Sequence, residues 1–249
     1  MFLPQHSITT RFNDLVELLQ KGQTYEKIFV AKNIRFQLKK DLLAAAEKYQ
    51  IPLSWVPDIK INKISNLPGD GFVGLKSSLI FKDLQDIIDF NYSQALTPCF
   101  ILLDGVTDVR NIGAIARTCF ATKVQALILP FHHSAALNNE AIQASAGYLK
   151  QINLCRVKNI NDAIELLKLN GIMVVATGAK SKVKISEINA TQPIAFVIGD
   201  EHLGVKLETS KLCTHHCTIP IFNDVESYNV SVATGMILYE VMQQRNFYK

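Results

Sequence analysis

The chain has no apolar run approaching the roughly 18 residues that cross a bilayer, and its opening "MFLPQHSITT" lacks the charged and apolar regions of a secretory leader. These absences set aside an integral membrane role and lead to an expected soluble, cytoplasmic protein. Charge is also scarce: charged residues make up 19% against 48% hydrophobic, a balance too apolar for a disordered chain. There is no internal repeat and no low-complexity tract. The five cysteines, Cys99, Cys119, Cys155, Cys213 and Cys217, are odd in number and scattered, so reduced thiols are expected rather than a disulfide framework. No G-x-G-x-x-G follows the first strand pattern of either half and no Walker A sequence occurs, which argues against a nucleotide-binding dehydrogenase or a P-loop enzyme.

What remains is a chain of 249 residues, long enough for one or two domains, with a net charge of +4 that is unevenly spread. Residues 21 to 48 hold Lys21, Lys27, Lys32, Arg35, Lys39, Lys40 and Lys48 against Glu26, Asp41 and Glu47. Such an excess could face phosphates, or form a solvated helix face of long amphipathic side chains.

Strand and helix patterns alternate from end to end, so the expected class is α/β with parallel sheets and helical crossovers. "RFNDLVELLQ" predicts a helix, "EKIFVA" a strand and "QLKKDLLAAAEKY" a helix; "IPLSWV", "GFVGL" and "FKDLQDIIDF" complete a small α/β unit over residues 1 to 90. "NYSQALTP", at 91 to 98, is the expected linker to a second domain at 99 to 249. Beyond it "CFILLD", "ALILP", "IMVVAT" and "AFVIG" are continuous apolar runs suited to a sheet buried on both faces. Helix patterns at 111 to 122, 138 to 149, 160 to 169 and 229 to 245 supply the covering layers.

Ligands of open α/β sheets gather past the carboxyl ends of strands, and three loops there carry polar residues. In "LLDGVTDVRNIGAIARTCFA", Asn111 suits a helix N-cap, and Gly113 and Arg117, four apart on one face, would leave room for a ligand beneath the guanidinium. A capped helix with a tolerated glycine and a surface arginine explains the same residues. "FVIGDEHLGV" surrounds Glu201 with Gly199 and Gly204, which let backbone approach a ligand, although Gly-Asp turns also end many strands for conformational reasons alone. "CTIPIFNDVESYNVSVATG" places Ser227, Asn229 and Ser231 at a helix entrance, where free N–H groups favour anions. Capping accounts for one of these three residues more easily than for all of them.

In order and spacing, "NIGAIAR", "IGDEHLG" and "IPIFNDVESYNVSVATG" resemble the three motifs of the SpoU (TrmH-type) RNA ribose 2′-O-methyltransferases. The resemblance is strong over about residues 99 to 246 and weaker over 25 to 90, which look like the substrate-binding domain of members that act on a guanosine of large-subunit ribosomal RNA. It implies a parallel sheet tied in a deep trefoil knot, a homodimer packed through the knotted domains, and S-adenosylmethionine as methyl donor. The cofactor would be held by Thr177, Gly178, Gly199, Ile219, Tyr228 and Asn229. By the same resemblance Arg117 lies nearest the reacting hydroxyl, Asn111 and Glu201 organise it, and Ser227, Asn229 and Ser231 hold the ribose, its phosphate and the methionine end. The expected substrate is structured RNA, ribosomal first and transfer RNA second.

This chain departs from the family at His202 and Leu203, at Tyr228 in place of a common leucine, and at "PGDGFVG" where a His-Gln-Gly sequence is usual. "CTHHC", residues 213 to 217, offers soft metal ligands, but no second ligand pair accompanies it, and no metal is expected. The remaining alternative is a catalytically silent RNA-binding paralogue; the complete polar set of Asn111, Arg117, Glu201, Ser227, Asn229 and Ser231 favours an active enzyme.

Overall fold

The computed structural model describes residues 7–131, 134, 137–178, 181–201 and 203–246. The chain divides into two compact units, Met1–Ile80 and Phe81–Lys249.

The first unit runs β1 (Ile8–Thr9), α1 (Phe12–Gln20), β2 (Tyr25–Ala31), α2 (Phe36–Lys48), β3 (Leu53–Val56), α3 (Asp58–Ile64) and β4 (Phe72–Lys76). Its sheet has the order β1-β4-β2-β3. Here the expectation of parallel pairing fails in part, because β4 runs antiparallel to both β1 and β2 while only β2 and β3 are parallel. The core forms where Leu15 and Leu19 of α1 and Leu42 and Ala46 of α2 meet Tyr25, Ile28 and Val30 of β2. Helical spacing in the first two sets, and in the third the alternation of Ile28 and Val30 with a register shift between Tyr25 and Lys27, bring one face of each element together.

The second unit begins with α4 (Leu84–Ser93), then β5 (Cys99–Asp104), α5 (Val109–Ala121), β6 (Ala126–Pro130), α6 (Asn139–Ala144), β7 (Leu154–Val157) and α7 (Ile160–Leu169). It continues through β8 (Met173–Thr177), β9 (Ile194–Gly199), α8 (Leu207–Leu212), β10 (His215–Cys217) and α9 (Val230–Gln244). The six-stranded sheet has the order β10-β8-β9-β5-β6-β7, and every pairing in it is parallel. Every residue of β5 and β9 is buried, as continuous apolar runs covered on both faces require.

The division falls before α4 rather than after it. Leu84, Ile87 and Ile88 of α4 are buried in one cluster with Phe100, Leu102, Ile128 and Ile164, so this helix belongs to the second core. Its start is fixed by Asp83, whose side chain accepts from the N–H groups of Gln85 and Asp86. The expected linker at 91–98 is therefore the end of α4 followed by a short lead into β5. Among the described residues, no helix is long and apolar enough to cross a membrane.

Candidate active site

Strand order places β9 between β8 and β5, while the chain runs from β5 outward through β6 and β7 and only later returns to the other side. Such reversals open a crevice past the carboxyl ends of the strands. A cleft of about 880 Å³ lies there, lined by Thr177 and Gly178 after β8, Gly199 and Glu201 after β9, Ile219 after β10, and Ser227 and Tyr228 before α9. That volume suits a nucleoside-sized ligand, for which pockets of about 300–1,000 Å³ are usual.

At its rim three side chains converge from the first turn of α5, the loop after β9 and the N-cap of α9. Glu201 Oε1 accepts from Asn111 Nδ2 at 2.7 Å and from Asn229 Nδ2 at 2.6 Å, and Asn229 Nδ2 also lies 3.1 Å from Asn111 Oδ1. Asn229 has a second task as the N-cap of α9: its Oδ1 accepts from the backbone N–H of Ser231 at 3.0 Å and of Val232 at 3.4 Å, and from Ser231 Oγ at 2.6 Å. Ser227 Oγ donates to the Glu201 carbonyl at 3.0 Å, and Tyr228 OH donates to the Pro220 carbonyl at 3.0 Å. The start of α9 is thereby tied to the loop after β9. Ser227 precedes α9, Asn229 caps it and Ser231 lies in its first turn, so the three polar residues serve this junction from either side of the helix start.

Asn111 is not the cap of its own helix. Asp108 is, accepting from Arg110 N at 2.7 Å, and α5 starts at Val109. The Arg110 guanidinium, 3.0 Å from Asp108, holds that exposed carboxyl below the usual carboxylate range. Being inside the first turn rather than at the cap leaves the Asn111 amide free to reach Glu201.

Gly113 also differs from expectation. A Cβ there would lie 2.5 Å from Ala144 Cβ and 2.8 Å from the Ala144 carbonyl carbon, so the glycine admits α6 rather than a ligand. Gly113→Ala should lower thermal stability by about 1–3 kcal/mol through overpacking, measurable as a fall in Tm, whereas a surface position would show none. Arg117, one turn further along α5, is exposed and lies outside the cleft lining. Thr177 and Gly178 line the cleft, with the Thr177 hydroxyl donating to Val197 O at 3.0 Å.

Gly199 is required by backbone crossing. A Cβ there would come within 2.0 Å of the Gly204 carbonyl carbon, because the loop after β9 folds back on itself, with Gly204 N donating to Asp200 O at 2.8 Å. Leu203 lines the cleft while 86% exposed; His202 lies outside the described residues.

Two contributors escape motif reading. Asp104, 3% exposed at the end of β5, accepts from Lys206 N at 3.1 Å and pairs with Lys206 Nζ at 3.4 Å, anchoring the far end of the loop that carries Glu201. A strand ending in Asp-Gly looked like any turn. Ser210 and His216 also line the cleft, with Ser210 Oγ 2.9 Å from His216 Nε2.

The cysteines are free and buried. Burial pushes the thiols of Cys99, Cys155 and Cys217 up to about 12 and that of Cys213 to about 11, so the thiolate form that binds metals is strongly disfavoured. Among the described residues no group of three His, Cys, Asp or Glu side chains is placed to hold a metal ion.

A parallel sheet with a strand-end cleft, closed by a carboxylate that binds two amides from distant loops, defines an α/β enzyme built for a small organic cofactor and a polar partner. Residues 98–239 match the SpoU rRNA Methylase family, and residues 12–75 match the RNA 2′-O ribose methyltransferase substrate-binding domain. A protein of Staphylococcus saprophyticus named as a TrmH family tRNA/rRNA methyltransferase is 31% identical over 231 residues, 93% of each chain. The chain belongs to the SpoU family of RNA methyltransferases. Among solved structures, the SpoU methyltransferase AviRb of Streptomyces viridochromogenes, in complex with AdoMet, superposes with a TM-score of 0.61 at 19% identity, covering 96% of this chain and 90% of that one. The TrmH/SpoU tRNA modifying enzyme of A. aeolicus gives 0.55 at 28% identity, covering 65% of this chain and 86% of the other.

Proposed function

We propose that this protein transfers a methyl group from S-adenosylmethionine to a ribose 2′-hydroxyl of structured RNA, with ribosomal RNA as the substrate. The observation that carries this reading is the Glu201 carboxylate binding Asn111 and Asn229 together at the mouth of an 880 Å³ cleft. The cleft fits the cofactor in volume, and the close crossing at Gly199 gives it a backbone floor that no side chain could share. Thr177, Gly178, Gly199, Ile219 and Tyr228, all in the lining, would hold the cofactor, with Asn229 beside them at the rim.

When bound, S-adenosylmethionine supplies an electrophilic methyl group. The chain's own residues supply orientation. Glu201 fixes both amides, Ser227 fixes Glu201's backbone, and Ser231 fixes Asn229, so a hydroxyl entering the rim meets donors that are already placed. Arg117, permanently charged, would stabilise the oxygen as its proton passes to water, rather than act as a base. In a single chain it stands outside the cleft, and a homodimer would let it reach the cleft of the partner subunit. Val232, Met236 and Tyr239, exposed at helical spacing on α9, support a dimer through this unit. The trefoil knot belongs to the same proposal. Thr218 bonds to both Val183 and Ile185, and Arg245 at the end of α9 donates to Ala190 and Gln192, as a terminal segment drawn through the preceding loop would.

Glu201→Gln separates charge from hydrogen bonding, because one acceptor oxygen can still face the two amides. Its methyl transfer should fall by roughly tenfold and that of Glu201→Ala by about a hundredfold, with both still folded; parental rates for Glu201→Ala would remove the carboxylate from the mechanism. The ribosomal substrate is favoured by the substrate-binding domain at residues 12–75. Mapping 2′-O-methylation in total RNA from a deletion strain should show one ribosomal site lost and restored by the gene. Loss confined to transfer RNA would establish the second substrate class instead.

A further inference from the structure

Helix α2 presents an unusual face to solvent. Phe36 is 81% exposed and Leu43 45% exposed, and with Lys39 and Lys40, also exposed, they repeat at spacings of three and four along one stripe. The neighbouring face of the helix, through Leu38, Leu42 and Ala46, already meets the core, so Phe36 and Leu43 lie outside the face that the fold buries. Beside it stands Trp55 on β3, an edge strand of the sheet; its ring is 38% exposed and Lys39 Nζ lies 5.0 Å from its centroid. Lys32 and Arg35, both exposed, lie just ahead of the helix. The acidic residues of α2 oppose this little: Asp41 accepts a hydrogen bond from Gln37, and Glu47 lies at the far end of the stripe.

Two exposed aromatic rings set among cations can serve a polyanion whose bases are available for stacking. In a duplex the faces of the bases are covered by their neighbours, so lysines alone would suffice and exposed rings would be a cost. In a single strand each base has a free π-face, and a ring flanked by lysines can stack on it while the ammonium groups meet adjacent phosphates. Lys39, already over the Trp55 ring, would slide from a cation–π contact to a phosphate as a base arrives. We propose that the face made by Phe36, Lys39, Lys40 and Trp55 binds unpaired nucleotides of the RNA substrate by stacking. This rests on the reading of the protein as an RNA methyltransferase and adds where, and in what conformation, the RNA is held by the first unit.

Trp55 is the single tryptophan in the chain, so tryptophan emission excited selectively over the seven tyrosines reports on this face alone. Full-length protein titrated with an unstructured oligoribonucleotide should show saturable quenching, and a fully paired duplex at equal phosphate concentration should show little. Measured by the anisotropy of a dye-labelled oligoribonucleotide, which needs no tryptophan, Trp55→Ala and Phe36→Ala should each weaken single-strand binding by roughly fivefold to a hundredfold, and Trp55→Phe, which keeps a ring, should retain most of it. Lys39→Ala should reduce the slope of log affinity against log salt by about one. Quenching by duplex as strong as by single strand, no quenching by either, or Trp55→Ala binding within twofold of the parent would overturn the proposal. Calorimetric titration with S-adenosylmethionine on the same samples keeps the two readings apart. A protein that binds the cofactor but shows no quenching refutes the stacking face alone, whereas failure to bind cofactor refutes the assigned activity.

Discussion

Arg117→Ala should lower methyl transfer by at least a hundredfold to a thousandfold while leaving affinity for S-adenosylmethionine nearly unchanged. Loss of one charge-assisted contact at a reacting oxygen typically has that size. Cofactor affinity should persist because the groups that line the cleft, from Thr177 to Tyr228, do not include Arg117. Arg117→Lys should recover little, since an ammonium lacks the planar fork that can span a hydroxyl and a phosphate. The position of Arg117 makes a sharper demand. The face of α5 that carries Gly113 is pressed onto Ala144 of α6, so one turn later Arg117 leaves along the outside of its own chain. If it serves the partner's cleft, mixing Arg117→Ala with Glu201→Ala protein should restore activity to roughly a quarter of the parental level, because half of randomly paired dimers are mixed and each holds one complete site. Mixed protein as inactive as either parent variant would place the arginine and the carboxylate of one site on one chain.

A chain starting at Phe81 should fold cooperatively and bind S-adenosylmethionine, while one starting at Leu96 should not fold. The second truncation removes Leu84, Ile87 and Ile88, at most 5% exposed, from the cluster around Phe100, Leu102 and Ile164. Each is worth about 1.5–3 kcal/mol when fully buried, and their sum rivals the roughly 5–15 kcal/mol that separates a folded domain from its unfolded chain. Circular dichroism melts of the two fragments, with calorimetry of the cofactor, decide the matter. Equal melting of both would show that α4 is dispensable to this core. RNA affinity should fall in the Phe81 fragment, since it lacks the basic segment at 21–48.

The strands that build the catalytic sheet were legible where they are continuous and apolar: β5, β6, β8 and β9 coincide with the runs read from sequence. β7 escaped because "LCRV" is short and carries Arg156, a buried residue whose guanidinium lies 3.8 Å over the half-buried Phe81 ring. β10 escaped for the opposite reason. At the sheet edge beside β8, His215 and His216 stay exposed, so this short strand carries no apolar run to read. One long helix was expected at 138–149, but Ala146 and Gly147 take positive φ values of 52° and 85°, ending α6 at Ala144. No periodicity reports such a break. "FKDLQDIIDF", which holds most of α4, was placed with the first unit although its buried residues pack in the second, because apolar spacing says that a face is buried and not against what.

The site shows a similar limit. Asn111, Glu201 and Asn229 could be singled out from sequence, and the structure brings them within hydrogen-bonding distance across separations in sequence that no pattern encodes. Asp104 and Lys206, which anchor the same loop, carried no signal, because a strand-ending aspartate and a lone lysine are common. Gly113 carried the wrong one: a glycine marks a close approach without naming what approaches, and here it is a helix.

The central claim is that the cleft bounded by Glu201, Asn111 and Asn229 methylates a ribose oxygen rather than a base. RNA labelled with tritiated methyl groups by the purified protein, then hydrolysed in alkali, tests it directly, because a 2′-O-methyl group blocks cleavage at its own phosphodiester. Label recovered in alkali-resistant dinucleotides, and lost with Glu201→Ala, is the expected result. Label recovered in mononucleotides, as methylation on a base would give, would contradict the account.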